Sequence, residues 1–168
     1  MLMTLMMLAL VQDADPLAPG RAGKVQCYDP VVAEKTCRAI GAYRFGPGDE
    51  IWNESQSLLG ASPRIVLTGR TRVWVRDGAE CARNQNHADE IVGIQVNGVA
   101  LEDGQYETVR AQIGAALETA MGGGELCSTY HANDDGSLRA TVTVGGVDRP
   151  EFESTVLWVD PAEWRLAD

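Results

Sequence analysis

The chain has 168 residues, 45% hydrophobic and 23% charged. That length suits one domain with its own core, and that composition is globular, not disordered. A net charge of −10 excludes non-specific attraction to nucleic acid or to anionic lipid, since like charges repel.

Residues 1–14, MLMTLMMLALVQDA, hold an uncharged apolar run from Leu2 to Val11. The run has the length of a signal-peptide hydrophobic region and is too short to span a bilayer. No Lys or Arg precedes it, and Gln12 stands where cleavage after Ala14 favours a small residue. The reading is a signal peptide over 1–14, giving a periplasmic or secreted protein with no stable membrane insertion after processing. Residues 15–23, rich in Pro, Gly, Ala and Asp, read as a linker. Residues 24–168 then form a single domain.

Asp29 as N-cap, Pro30 at the first helical position and Gly41 as a stop predict a helix over 30–41. EIWNESQSLL reads as a strand. RIVLTGRTRVWVRDG reads as strand, break at Gly69, strand, and a Gly-containing turn. EIVGIQVNGVAL is a hairpin about Asn97-Gly98, the pair best suited to a type I′ turn. Tyr106, Val109, Ile113, Leu117 and Ala120 recur at helical spacing and predict a helix over 103–121. ELCSTYHA and SLRATVTVGGV are strands joined through NDDG, and STVLWVDP is the last strand. Tight turns between strands, with two helices, give an α+β fold built on antiparallel sheet.

The four cysteines are Cys27, Cys37, Cys81 and Cys127. A strand KVQCY running antiparallel beside the 30–41 helix would bring Cys27 next to Cys37, leaving Cys81 for Cys127. The alternatives are buried free thiols or a metal site. Against the metal, no C-x-x-C occurs and neither histidine lies near a cysteine in sequence. Two disulfides imply an oxidising compartment, which agrees with the export reading. The segments QCYDP, KTC, ELCSTY and LWVDP resemble those of small exported proteins of Gram-negative bacteria that have no assigned function. The resemblance implies export and brings no activity, cofactor or catalytic residue.

Motifs for chemistry are few. No phosphate-binding G-x-x-x-x-G-K-[ST] loop, strand-linked G-x-G-x-x-G or nucleophile-elbow G-x-S-x-G occurs, and no cofactor is expected. His87, near Asp89 and Glu90, and His131, near Asp134 and Asp135, are candidate acid–base groups of a small exported hydrolase. Both sit in polar stretches that read as solvated loops. HANDDG matches a calcium loop incompletely and reads as a hairpin turn. NES at 53–55 fits a glycosylation sequon. On a strand, Arg70, Arg72, Trp74 and Arg76 share one face. Three guanidiniums around an indole suit an anionic small ligand or the acidic patch of a partner protein. The expectation is therefore a non-catalytic binding module using that face, with the hydrolase as the alternative.

Overall fold

A computed structural model describes residues 15–168; the segment read as a signal peptide lies outside them. The stretch read as a linker instead carries a short helix, α1 (Ala18–Arg21), and seats Leu17, which is fully buried. The chain continues through β1 (Val25–Tyr28), β2 (Thr36–Cys37), β3 (Ala39–Phe45), β4 (Ile51–Ala61), β5 (Arg64–Arg76) and β6 (Ala79–Asn84). A one-turn helix α2 (His87–Glu90), strands β7 (Ile91–Val96) and β8 (Val99–Ala100), and the long helix α3 (Asp103–Met121) follow. The last elements are β9 (Gly124–Ala132), β10 (Leu138–Val144), β11 (Val147–Asp148), β12 (Ser154–Val159) and β13 (Arg165–Leu166).

Strands pair antiparallel in the order β4-β3-β1-β12-β10-β9-β6-β5, and β5 pairs back onto β4. The result is a closed eight-stranded barrel, which leaves no free edge in its wall and an interior that holds side chains or one small ligand. The length of β5 makes a second pairing available. Its residues Ile65–Gly69 carry β7 on the side opposite β4, whereas Val73–Arg76 carry β6. Residues 85–123 leave the wall after Asn84 and return at Gly124, which is the direct partner of Asn84 across β6 and β9.

Alternation along each strand decides which side chains enter the barrel. Gln26, Tyr28, Tyr43, Asn53, Glu80 and Tyr130 fall on the inner phase, and Cys27, Trp52, Arg72, Trp74, Cys81 and Cys127 on the outer one. An interior apolar cluster gathers Leu17, Ile51 and Val73 with Tyr43, Phe45 and Trp158, so α1 seals the rim at the β3–β4 turn. A second cluster lies outside the wall. There Val25, Cys27, Cys37 and Val159 pack with Ile40, Leu157 and Trp164 under the C-terminal segment, which β13 ties to β2. Elsewhere the outer wall exposes Arg44, Arg70, Arg72, Arg83 and Arg139, where a membrane-spanning barrel presents an apolar band. Among the described residues no helix is long and apolar enough to cross a membrane.

The α+β class, the antiparallel sheet and the helix over 103–121 agree with the sequence reading. So do both disulfides, Cys27–Cys37 and Cys81–Cys127, as expected of a domain that matures in an oxidising environment. The helix over 30–41 does not form. Asp29 takes a left-handed φ of 48° and cannot serve as an extended N-cap. One 3₁₀ turn, Val32–Glu34, is ended by Lys35 at φ 50°. The chain then extends, and Ala39–Phe45 joins the barrel with Ile40 outward against the disulfide and Tyr43 inward. Cys27 is thus stapled to a strand, not to a helix. At Gly69 the strand runs through with a register irregularity instead of breaking. Asn97 and Gly98 both have positive φ, 52° and 81°, as a type I′ turn requires.

Candidate functional site

The barrel interior is polar at its middle. β6 places Glu80 there, only 8% exposed. The Tyr43 hydroxyl lies 2.7–2.8 Å from both Glu80 oxygens, and the Tyr130 hydroxyl donates to Glu80 Oε2 at 2.7 Å. Tyr28 donates to Gln26 Oε1 at 2.6 Å, and Tyr43 lies the same distance from that oxygen. Tyr43 has one hydrogen, so it serves Gln26 or Glu80, not both at once. Burial pushes the Glu80 carboxyl above the ordinary range, and the Tyr130 and Tyr43 hydroxyls partly offset this. The phenols of Tyr28, Tyr43 and Tyr130 are raised by burial first and then by neighbouring charge, so they stay protonated.

A cavity of about 220 Å³ opens beside this cluster, and Tyr28, Tyr130, Glu80, Asn84, His87 and Glu90 are among the residues lining it. The lip is built by the 85–123 excursion. Asn84 Nδ2 donates to the Gly122 carbonyl at 2.6 Å, tying β6 to the end of α3, while its Oδ1 has no partner among the described residues. α2 carries His87, whose side chain is 8% exposed. His87 Nδ1 stands 3.5 Å from Glu90 Oε2, and its Nε2 is buried with no partner among the described residues. Burial lowers the His87 imidazole, with the Glu118 charge on α3 opposing, so the ring is neutral near pH 7. Burial raises the Glu90 carboxyl to about 7, against a hydrogen bond from Thr71.

The residues singled out from sequence are distributed unevenly around this site. His87 is not in a solvated loop: α2 holds it inside, beside Glu90. His131 is on the outer wall, exposed and paired with Thr141 Oγ1 at 3.1 Å. Arg70, Arg72, Trp74 and Arg76 do share one face, the outer side of β5. Arg70, Arg72 and Trp74 line an open groove there with Trp52 and Arg83. Arg70 stacks over Trp52 at 4.5 Å and lies 3.9 Å from Glu54. Arg76 is outside that groove and forks onto Glu125. Asn53 of the sequon points into the barrel and lines the cavity, so its amide is not a surface acceptor. HANDDG forms the β9–β10 hairpin turn, with Asp135 Oδ1 accepting from the Ser137 amide and hydroxyl. Cys81, Glu125 and Cys127 lie close enough to hold a metal ion, but both sulfurs are joined in the disulfide.

Gln26, Tyr28, Tyr43, Glu80 and Tyr130 were not anticipated. They come from four strands distant in sequence, and only barrel closure unites them. No protein-family model matches the chain, and no curated protein or solved structure does either.

Proposed function

We propose that this protein is an exported, non-catalytic binding module of the periplasm or the extracellular space, and that it takes a small polar ligand inside the barrel. The observation that carries this reading is the cavity itself. It pairs a buried carboxyl group, Glu80, with two buried polar atoms that have no partner among the described residues, Asn84 Oδ1 and His87 Nε2. Orphaned buried polar atoms are rare because each costs about 1–3 kcal/mol, and a ligand in the cavity supplies what they lack. The two disulfides support maturation outside the reducing cytosol.

The outer groove at Arg70, Arg72 and Trp74 is the competing address, suited to an anionic ligand or partner protein. Thermal-shift screening of the disulfide-bonded protein against small amines, polyols and carboxylic acids separates the two. Ligands that bind only the folded state raise its melting temperature. Ser128→Phe, which fills the cavity, and the isosteric Glu80→Gln are expected to abolish or weaken such shifts, while Arg72→Glu leaves them intact. Shifts lost in Arg72→Glu and kept in both cavity variants would move the site to the groove.

One contact favours the hydrolase as second reading: His87 Nδ1 lies 3.5 Å from Glu90 Oε2 in the same cavity, and burial poises Glu90 near neutrality. On that reading His87→Asn ends turnover of a hydrolysable ester or glycoside. Turnover that persists in His87→Asn removes it.

A further inference from the structure

Of the three buried side-chain atoms without a partner among the described residues, the two in the cavity lining, Asn84 Oδ1 and His87 Nε2, can both accept, while the donor Gln26 Nε2 lies outside the lining. Asn84 Oδ1 can only accept a hydrogen bond. The Asn84 amide nitrogen is already committed to Gly122, so the orientation with the oxygen free is fixed by its neighbour. With its proton on Nδ1, directed at Glu90 3.5 Å away, His87 likewise leaves a lone pair on Nε2. Glu80 and Glu90 add carboxylate oxygens with capacity beyond the hydroxyls they already accept. A third acid, Glu118 of α3, is close enough to act on His87.

Charge points the same way. Among the described residues Arg83 is the single cation in the lining; it lies on the outer phase of β6 and is exposed. The imidazole of His87 is neutral, and the lining Tyr28 and Tyr130 are protonated phenols. Aromatic rings beside a carboxylate attract a cation by their quadrupole as well. A ligand matching this lining brings N–H donors and positive charge, and it is small. A cavity of about 150 Å³ accommodates one benzene-sized molecule, and this one has about 220 Å³.

Resting on the reading of the barrel as a binding module, the geometry points to a small organic amine as its ligand, the ammonium group held among Glu80, Glu90 and Asn84 and the carbon portion against Leu126 and Met121. An ammonium offers three donors and no acceptor, the complement of this set. An anion or an acceptor-only ligand would meet carboxylates on two sides.

Calorimetric titration of the intact, disulfide-bonded protein with matched pairs tests the assignment. The probes are n-butylamine, cyclohexylamine and benzylamine against n-butanol, cyclohexanol and benzyl alcohol, with butyrate and benzoate as anions. At least one amine is expected to bind about tenfold or more tighter than its alcohol. Glu80→Gln and Glu90→Gln, each checked for native circular dichroism, are expected to remove that preference while sparing alcohol binding. Equal affinity for amine and alcohol overturns the amine assignment and leaves the cavity reading standing. Tighter binding of butyrate or benzoate, or amine binding unchanged in both Gln variants, overturns the assignment and moves recognition outside the barrel. No binding by any amine or alcohol at millimolar concentration brings down the assignment and the cavity reading together.

Discussion

Glu90 sits where the wall and the lip meet, and its carboxyl is held near 7 against an ordinary value of 4.5 because burial disfavours the charge. Below 4.5 the group is protonated whether the chain is folded or not, so it has no effect on stability. Between 4.5 and about 7 the unfolded chain has lost its proton and the folded one keeps it, so stability falls as pH rises, and the full cost is present above 7. Glu90→Gln removes that cost. The variant is expected to match the parent at pH 4 and to gain about 1–3 kcal/mol at pH 8, read as the difference between two urea-melting series. His87 acts in the opposite sense, its lowered value costing stability as pH falls below 6.5, but it is common to both proteins. A gain that is the same at both pH values would show that Glu90 is not desolvated. At this scale the sequence was least informative. NQNHADE reads as a solvated loop because nothing local says that α3 will cover it. Glu80 lies among Ala79, Cys81 and Ala82, and the two tyrosines that bond it arrive from β3 and β9.

Between elements, α2 and α3 approach closely at Gly114. A Cβ on Gly114 would fall 2.7 Å from the Ala88 Cβ and from its backbone nitrogen, so a glycine is needed there although it weakens a helix interior. Gly114→Ala gains about 1 kcal/mol of helix propensity, but backbone cannot yield as a flexible side-chain tip does. Overpacking of this kind costs about 1–3 kcal/mol. The expectation is a net loss in chemical denaturation and a displaced His87, adjacent to Ala88. Unchanged stability would mean that α2 shifts freely. The helix α3 was legible because an apolar stripe from Tyr106 to Ala120 runs along most of its nineteen residues. The strands about Asn97-Gly98 and NDDG were legible because turn chemistry fixes them. The stretch 30–41 was misread because it satisfied helix signals locally, while the decisive interaction, Ala39–Phe45 against β1 and β4, is non-local.

For the molecule as a whole, closure depends on contacts distant in sequence, and the disulfides act on that cost. Cys81–Cys127 closes a separation of 46 residues and Cys27–Cys37 one of 10. Chain-entropy reasoning assigns about 4 and about 3 kcal/mol respectively. Paired Ser substitutions should therefore destabilise more at Cys81/Cys127, read from denaturant midpoints; the reverse order would show that strain or local packing outweighs chain entropy. Cysteine spacing made both bridges readable, yet the barrel itself was not, since the seams that close it, β1 on β12 and β6 on β9, join strands distant in sequence.

The adjacency of Asn84 and Gly124 has a consequence for how this molecule can be cut and rejoined. A polypeptide that departs and comes home to neighbouring rungs behaves as a graft: the trunk does not need it to close. Splicing a Gly-containing reverse turn between those two positions should yield a shortened chain that keeps both bridges and the eight-strand wall, while forfeiting the imidazole and carboxylate that guard the mouth. Recognition would then require graft and trunk together and durability the trunk alone, separable on one gel and one titration.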